Sequence, residues 1–369
     1  MIDHSAQHAA TNPPAHAKWA RPAVQAGFLF LSLLMGLQFR NFVNSLSGPL
    51  DEPVAYRPAG VEAYLPISSL MSLTYLAKTG IANRVHPAGL VLFMLILALT
   101  LLIGRGFCSW VCPIGTLAEY AHRIGRRALG RNLWMPWWLD IPLRGIKYVV
   151  LAFFIYFIFR MSADGLRHFI YGPYNRIADV KMYLFFANIS RTTLATLITL
   201  GILSIIFQNF WCRYLCPYGA LLCLCSAPSP LAIRRAEEKC IACGKCARAC
   251  PNRVPVDAKR RVGSTECTMC FSCVEVCPVP GALRAAGRVE GSAIPVTVYG
   301  AVIVAAFLLT PHVARVFNYW DTETPAFLYK HLYQRIARID HPRPRRFQAS
   351  PPEDESDPGE ANQAQGEDK

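Results

Sequence analysis

Twelve of the fourteen cysteines in this sequence fall into spacings that suit metal chemistry. The densest run reads Cys240-Ile-Ala-Cys243-Gly-Lys-Cys246-Ala-Arg-Ala-Cys250-Pro251. It recurs as Cys267-Thr-Met-Cys270-Phe-Ser-Cys273-Val-Glu-Val-Cys277-Pro278. Three cysteines two residues apart, with a fourth three further on before proline, form the bacterial ferredoxin run, here written twice. A cubane needs four thiolates disposed tetrahedrally around its core. A tight loop wraps three corners, while its fourth cysteine points away and ligates the other cluster. The pattern therefore assigns Cys240, Cys243, Cys246 and Cys277 to one [4Fe–4S] cluster, and Cys250, Cys267, Cys270 and Cys273 to a second. Structural zinc sites also use Cys-x-x-Cys pairs, but they close with four ligands and do not need a doubled eight-cysteine run.

A second motif is also duplicated. Cys108-Ser-Trp-Val-Cys112-Pro113-Ile-Gly115-Thr-Leu117 matches Cys212-Arg-Tyr-Leu-Cys216-Pro217-Tyr-Gly219-Ala-Leu221. Spacing of i, i+4 places both thiols of a pair on one helix face, and the proline marks a turn or a helix start. Two facing pairs would close a single four-thiolate metal site; redox thiols and copper ligation are the other uses of such pairs. Cys223 and Cys225 stand outside both motifs and read as packed free thiols.

The elements that must hold these cysteines are membrane helices. The chain is 53% hydrophobic and only 17% charged, with a mean hydropathy of +0.25, a balance that points to spans with polar attachments. Apolar runs predict five transmembrane helices: Pro22 to Phe39, Pro87 to Ile103, Ile146 to Met161, Leu194 to Phe210 and Ala293 to Leu309. The first is expected to be retained, because no signal-peptide cleavage pattern follows it. Ile67 to Ala77 is expected on the membrane surface. The predicted domains are a disordered N-terminus (1–21), a four-helix membrane domain with both Cys-x-x-x-Cys-Pro motifs (22–225), an inserted α+β ferredoxin-like domain (226–290), a fifth span (291–311), and an amphipathic stretch with a disordered acidic tail (312–369). In that stretch Leu328, Leu332, Ile336 and Ile339 recur at helical spacing.

Net charge is +14, yet the basic residues flank apolar segments, which fits membrane topology better than nucleic-acid binding. Two motif copies in one orientation imply a parallel repeat with both cysteine pairs on one face. Arg123, Arg126, Arg127 and Arg131 mark that face as cytoplasmic, with Glu62 and His168 outside. An odd number of spans carries the tail outside, although Arg343, Arg345 and Arg346 favour the inside. His86 and His312 sit at span ends and no histidine lies within a span, so bis-histidine haem is not expected. Cys-x-x-Cys-His and G-x-G-x-x-G are both missing.

Spans punctuated by two Cys-x-x-x-Cys-Pro motifs and followed by a two-cluster ferredoxin run resemble the NapH/NosR-type membrane polyferredoxins. The resemblance covers roughly Pro22 to Leu283. It implies a multi-pass protein of the bacterial inner membrane with a cytoplasmic ferredoxin-like domain. It also implies electron transfer between the quinone pool and a respiratory partner protein. No large flavin-binding domain of the NosR kind is expected before Pro22, and the last span is similar to CcoG-type relatives that assist copper insertion into an oxidase. A copper-reducing assembly factor and a NosR-like redox-sensing regulator are therefore the alternative functions.

Overall fold

The computed structural model describes residues 15–49, 51–130, 135–287 and 293–342. The polar N-terminus up to residue 14, Arg131, and the acidic tail with Arg343, Arg345 and Arg346 lie outside the described residues. Helix α1 (Ala15–Leu46) is followed by a 3-10 turn (Ala59–Tyr64), then α2 (Pro66–Thr79), α3 (Pro87–Ile103), α4 (Phe107–Trp110), α5 (Pro113–Leu129) and α6 (Trp137–Arg160). Next come α7 (Ala163–Tyr171), α8 (Pro173–Arg176), α9 (Ala178–Ala187), α10 (Arg191–Ile206), a wide π turn (Trp211–Leu215) and α11 (Pro217–Ser226). The polar domain adds the short helices α12 (Lys245–Ala249) and α13 (Ser272–Glu275), before α14 (Val296–Val316) and α15 (Ala326–Gln334).

Among the described residues, three helices are long and apolar enough to cross a membrane: Trp19–Leu46, Trp137–Arg160 and Val296–Val316. The bent pair α9 and α10, which meet at 82°, would make a fourth, and α3 is an apolar helix of 17 residues. Phe30, Leu33, Val149, Phe153 and Leu308 are exposed on these helices, the composition that a lipid-facing surface requires. Helices α5 and α10 touch backbone to backbone: a Cβ at Gly125 would overlap the Ile205 carbonyl, so only glycine fits there.

Several boundaries differ from the sequence expectation. Helix α1 begins at Ala15, inside the segment read as disordered. Helix α6 begins at Trp137, well before Ile146, because its first half carries Asp140, Arg144 and Lys147 on an inward face that a hydropathy reading discounts. The segment from Ser162 to Arg191, which joins two of the expected spans, is mostly helical. Helix α2 packs one face on the protein, where Met71 and Tyr75 meet Leu166 and Ile170, while Ile67 is exposed. Its polar face can be buried because Ser69, Ser72 and Thr74 donate to carbonyls one turn back, at 3.0, 2.8 and 2.8 Å.

The amphipathic stretch does form, as α15 and a 3-10 turn, with Leu332 buried and Leu328, Ile336 and Ile339 partly so. It packs on the far end of α1, where Phe42 and Tyr329 meet edge to face at 5.4 Å. Beneath it lies a fully desolvated ion cluster. Arg57 Nε donates to Asp179 Oδ2 at 2.7 Å and Arg57 Nη1 to Glu62 Oε1 at 2.9 Å; the backbone N–H of Gly89 donates to Glu62 Oε2 at 2.9 Å. These charges survive burial because each is paired and hydrogen-bonded.

The polar domain closes on itself through two short antiparallel strands, β1 (Ala232–Arg235) and β2 (Leu283–Ala286), paired from Ala232↔Ala286 to Arg235↔Leu283. Entry and exit therefore lie side by side, which lets the domain be inserted between α11 and α14. Its core is continuous with the membrane helices: Ile233, Val254, Val262, Phe271 and Leu283 share one cluster with Trp110, Tyr299 and Ile303.

Candidate metal centres

The ferredoxin-type loops share one backbone pattern. Ala242 (φ 52°) and Gly244 (φ 64°) flank Cys243, and Met269 (φ 48°) and Phe271 (φ 60°) flank Cys270, all left-handed. A bulky residue held there costs on the order of 1 kcal/mol or more, and persists only where the surroundings over-determine the turn. The turn directs thiols inward. Cys240, Cys243, Cys246 and Cys277 line one cavity, with about 390 Å³ of unfilled space. Cys250, Cys267, Cys270 and Cys273 line another, with about 350 Å³. Each run thus lends its last cysteine to the other's cavity.

Both cavities fit a cluster by their donor chemistry. Burial, with the neighbouring Cys270 and Cys250 thiols, pushes Cys267 up to about 12, so four thiolates could not gather there without a cationic core. Among the described residues, no three His, Cys, Asp or Glu side chains gather closely enough for a single metal ion. The thiols instead line the walls of the two cavities. The two cavities differ in exposure. Cys270 and Cys273 are buried against the membrane helices, whereas Ile241, beside Cys240, is 62% exposed.

The four cysteines of the duplicated motif line a third, larger cavity of about 520 Å³, which runs among α1, α3 and α14. The pairs do not sit on one regular helix as expected. Cys108 lies in α4 and Cys212 in the π turn, while Cys112 and Cys216 are extended N-cap residues of α5 and α11. The physical reason is the following proline, which disfavours helical backbone in the residue before it. The break turns a helix N-terminus toward each distal sulfur: Cys216 Sγ accepts from the Gly219 N–H at 3.2 Å. Gly115 is obligatory in the first copy, because a Cβ there would overlap the Cys108 carbonyl oxygen. All fourteen cysteines are free thiols.

Residues beside these cysteines clamp the buried ferredoxin loop. Ser109 Oγ donates to the Thr268 carbonyl at 2.7 Å, Trp110 Nε1 to Met269 at 2.9 Å, and Arg21 Nη1 to Cys270 at 2.9 Å. On the second pair, Arg213 Nη1 donates to the Asn252 carbonyl at 2.8 Å and holds Asp140 at 2.9 Å. Arg105 lines the large cavity and is 3% exposed; it donates to Cys223 Sγ and pairs with Glu266 at 3.7 Å. Lys147, fully buried, reaches Glu266 Oε1 at 2.6 Å. Burial works against the Glu266 carboxylate, but Arg105 and Lys147 outweigh it and hold its pKa below the ordinary value.

Sequence reasoning missed Arg105, Lys147 and Glu266, and took Cys223 for packing alone. The available signal was Arg105 between two glycines immediately before a motif cysteine.

An α-helical, membrane-spanning scaffold that carries a two-cavity ferredoxin-like domain defines the class of protein. Residues 85–132 and 192–228 match a family described as a 4Fe-4S binding domain, and residues 232–278 one described as a 4Fe-4S dicluster domain. The chain is 38% identical over 326 residues to YccM of Escherichia coli (strain K12), whose name proposes electron transport, covering 87% of this chain and 91% of that one. It is 28% identical over 184 residues to the ferredoxin-type protein NapH of the same organism, covering 49% of this chain and 59% of NapH. Against the regulatory protein NosR of Pseudomonas aeruginosa it is 28% identical over 171 residues, 44% of this chain and 22% of NosR. No solved structure matches. The chain belongs to the NapH/NosR-type family of membrane ferredoxin-like 4Fe–4S proteins, and its role is iron–sulfur electron transfer.

Removing the Glu266 charge tests the junction. Glu266→Gln leaves Arg105 and Lys147 buried without their carboxylate, and should lower stability by about 3–5 kcal/mol. A thermal unfolding midpoint equal to that of the parent would show that the network contributes nothing.

Proposed function

We propose that this protein exchanges electrons between the quinone pool and a respiratory partner protein, with two [4Fe–4S] clusters held in its ferredoxin-like domain. Cys240, Cys243, Cys246 and Cys277 would hold one, and Cys250, Cys267, Cys270 and Cys273 the other. Such clusters supply one-electron redox chemistry. The observation that carries the reading is the pair of interleaved four-cysteine cavities, one at the membrane junction and one at the solvent side.

The chain's own residues favour quinone as the membrane-side reactant. The large cavity is lined mainly by apolar side chains, including Phe28, Leu31, Leu92 and Phe307, with a few polar groups such as Tyr64, Tyr218 and Arg105. An apolar slot with few, placed donors suits an isoprenoid quinone. At the opposite end, the exposed Ile241 beside Cys240 offers an apolar contact for a partner. Rapid oxidation or reduction of the iron–sulfur absorbance when a short-chain quinol or quinone is added would support this reading. Spectra that do not change with either would count against the quinone.

The interleaving makes a sharper claim. Cys277→Ala should deplete iron from the site of Cys240, Cys243 and Cys246 and spare the other, judged by iron content and electron paramagnetic resonance. Loss confined to the Cys267 site would reverse the assignment.

The membrane arrangement in this reading is five crossings of the bacterial inner membrane, with the shorter α3 and the bent α10 added to α1, α6 and α14, built on a parallel repeat. Arg123, Arg126 and Arg127 in α5 favour a ferredoxin-like domain on the cytoplasmic side. Helix α15 packs at the far end of α1, which favours a tail on the opposite side. Reporter fusions after Gly130 and after Asn175 should report opposite compartments; one shared compartment would overturn the five-span topology.

A further inference from the structure

We propose that the solvent-facing end of the ferredoxin-like domain docks a soluble redox protein with an acidic surface, centred on Ile241 and steered by Lys239 and Lys245. The inference rests on the electron-transfer reading above and names the chemistry of the partner at that end. Ile241 directly follows Cys240, and Val276 directly precedes Cys277. Both cysteines line the same cavity, and the two apolar side chains are 62% and 41% exposed. Branched aliphatic side chains held in water beside one site gain from being covered.

Charge selects what covers them. Arg235 lines the cavity and pairs with Glu237 at 3.2 Å, and Arg260 holds the same carboxylate at 2.6 Å. Arg248 Nη2 donates to the Cys243 carbonyl at 2.9 Å. These arginines are engaged within the domain. Lys239, the residue before Cys240, and Lys245, between Cys243 and Cys246, are exposed and make no ion pair among the described residues. Glu238 and Asp257 are the other carboxylates close by. With Glu237 shared by two arginines, the face is net positive. Ammonium groups free around an apolar centre attract carboxylates from a distance and repel a basic partner.

Size and position narrow the class. A small apolar centre with a charged rim suits the brief contacts of electron-transfer proteins, which lie at the low end of interface areas. Lipid headgroups are the other acidic surface in reach. It is the cavity of Cys270 and Cys273, however, that packs on the membrane helices, with Trp110 and Tyr299 in its core. The cavity beside Ile241 is the one turned to solvent.

The test is binding by the full-length protein in nanodiscs of zwitterionic lipid, with its iron content measured alongside. The probes are two acidic redox proteins, a flavodoxin and a plant-type ferredoxin, and a basic one, cytochrome c. At least one acidic probe should bind at about 50 mM salt and lose affinity about tenfold by about 500 mM. The double substitution Lys239→Glu/Lys245→Glu should weaken that binding about tenfold at low salt and leave iron content unchanged. Ile241→Ser should weaken it at both salt concentrations, because apolar contact is not screened. No binding of either acidic probe, tighter binding of cytochrome c, or binding indifferent to these variants overturns the proposal. Binding of phosphatidylglycerol vesicles that the lysine variant abolishes, with no acidic probe bound, assigns the face to lipid and overturns it too. Iron-loaded protein that binds no probe leaves the electron-transfer reading standing. Protein without iron fails that reading and the proposal with it. Should the double variant lose iron, Lys239→Glu alone and the wild-type salt dependence decide.

Discussion

Satisfying the backbone carbonyls of one loop, Thr265 to Cys270, is the constraint on which the rest of the molecule depends. The loop supplies two thiols to the inner ferredoxin-type cavity and is pressed against membrane helices where water is excluded. A buried carbonyl left without a donor costs roughly 1–3 kcal/mol. Four of the donors come from the membrane part: Arg105 to Thr265 at 3.3 Å, Ser109 to Thr268, Trp110 to Met269 and Arg21 to Cys270, while Asn252 of the polar domain meets the Glu266 carbonyl at 2.7 Å. The loop cannot leave these donors without leaving four carbonyls unpaired. The ferredoxin-like domain is therefore built into the membrane domain and shares its core, with Trp110 and Tyr299 packed against Phe271 at 6.2 and 5.1 Å. A freely tethered domain would carry its own closed core.

That docking orders the cysteine sites by exposure. The motif cysteines face an apolar cavity among helices, the next four lie at the junction, and the last four border solvent beside Ile241. Burial matters chemically, because cluster potential depends on solvent exposure and on hydrogen bonds to sulfur. The chain thus places three groups of four cysteines in three different surroundings. A route between bilayer and solvent needs that kind of graded series, and a single uniform pair of sites would not supply it.

The eight ferredoxin-type cysteines were legible because the spacing is itself the geometry: a loop of that length can turn only one way around a cluster-sized space. The broad arrangement of apolar helices was legible for the same reason, since hydropathy registers lipid exposure directly. What escaped was polar matter made burial-tolerant by partners remote in sequence. Lys147 and Glu266 are separated by more than a hundred residues, and neither looks unusual alone. Helix α2 misled because its serines satisfy themselves within the helix. The motif pairs misled in a different way. The i, i+4 spacing suggested a helix face, but the proline breaks the helix and makes each distal cysteine an N-cap. Its steric effect on the residue before it should have outranked periodicity.

The charges at the junction form a frame that is incomplete without anions. Arg21 and Arg123 share Glu119, Arg105 and Lys147 share Glu266, and Arg144 and Arg213 share Asp140. In each group two cations face one carboxylate. Arg123 and Arg144 meet part of this surplus with solvent, their side chains being 40% and 32% exposed, but Arg21, Arg105, Lys147 and Arg213 are buried. The surplus lies next to the thiols: Arg21 on the Cys270 carbonyl, Arg105 on the wall of the four-thiol cavity, and Arg213 immediately after Cys212. Thiolate-ligated clusters carry the negative charge that such a frame lacks. Two carboxylates would balance the cations just as well in number, but they would compete with the thiolates for the same field. Leaving the cations in excess directs that field at sulfur, which favours thiolate over thiol.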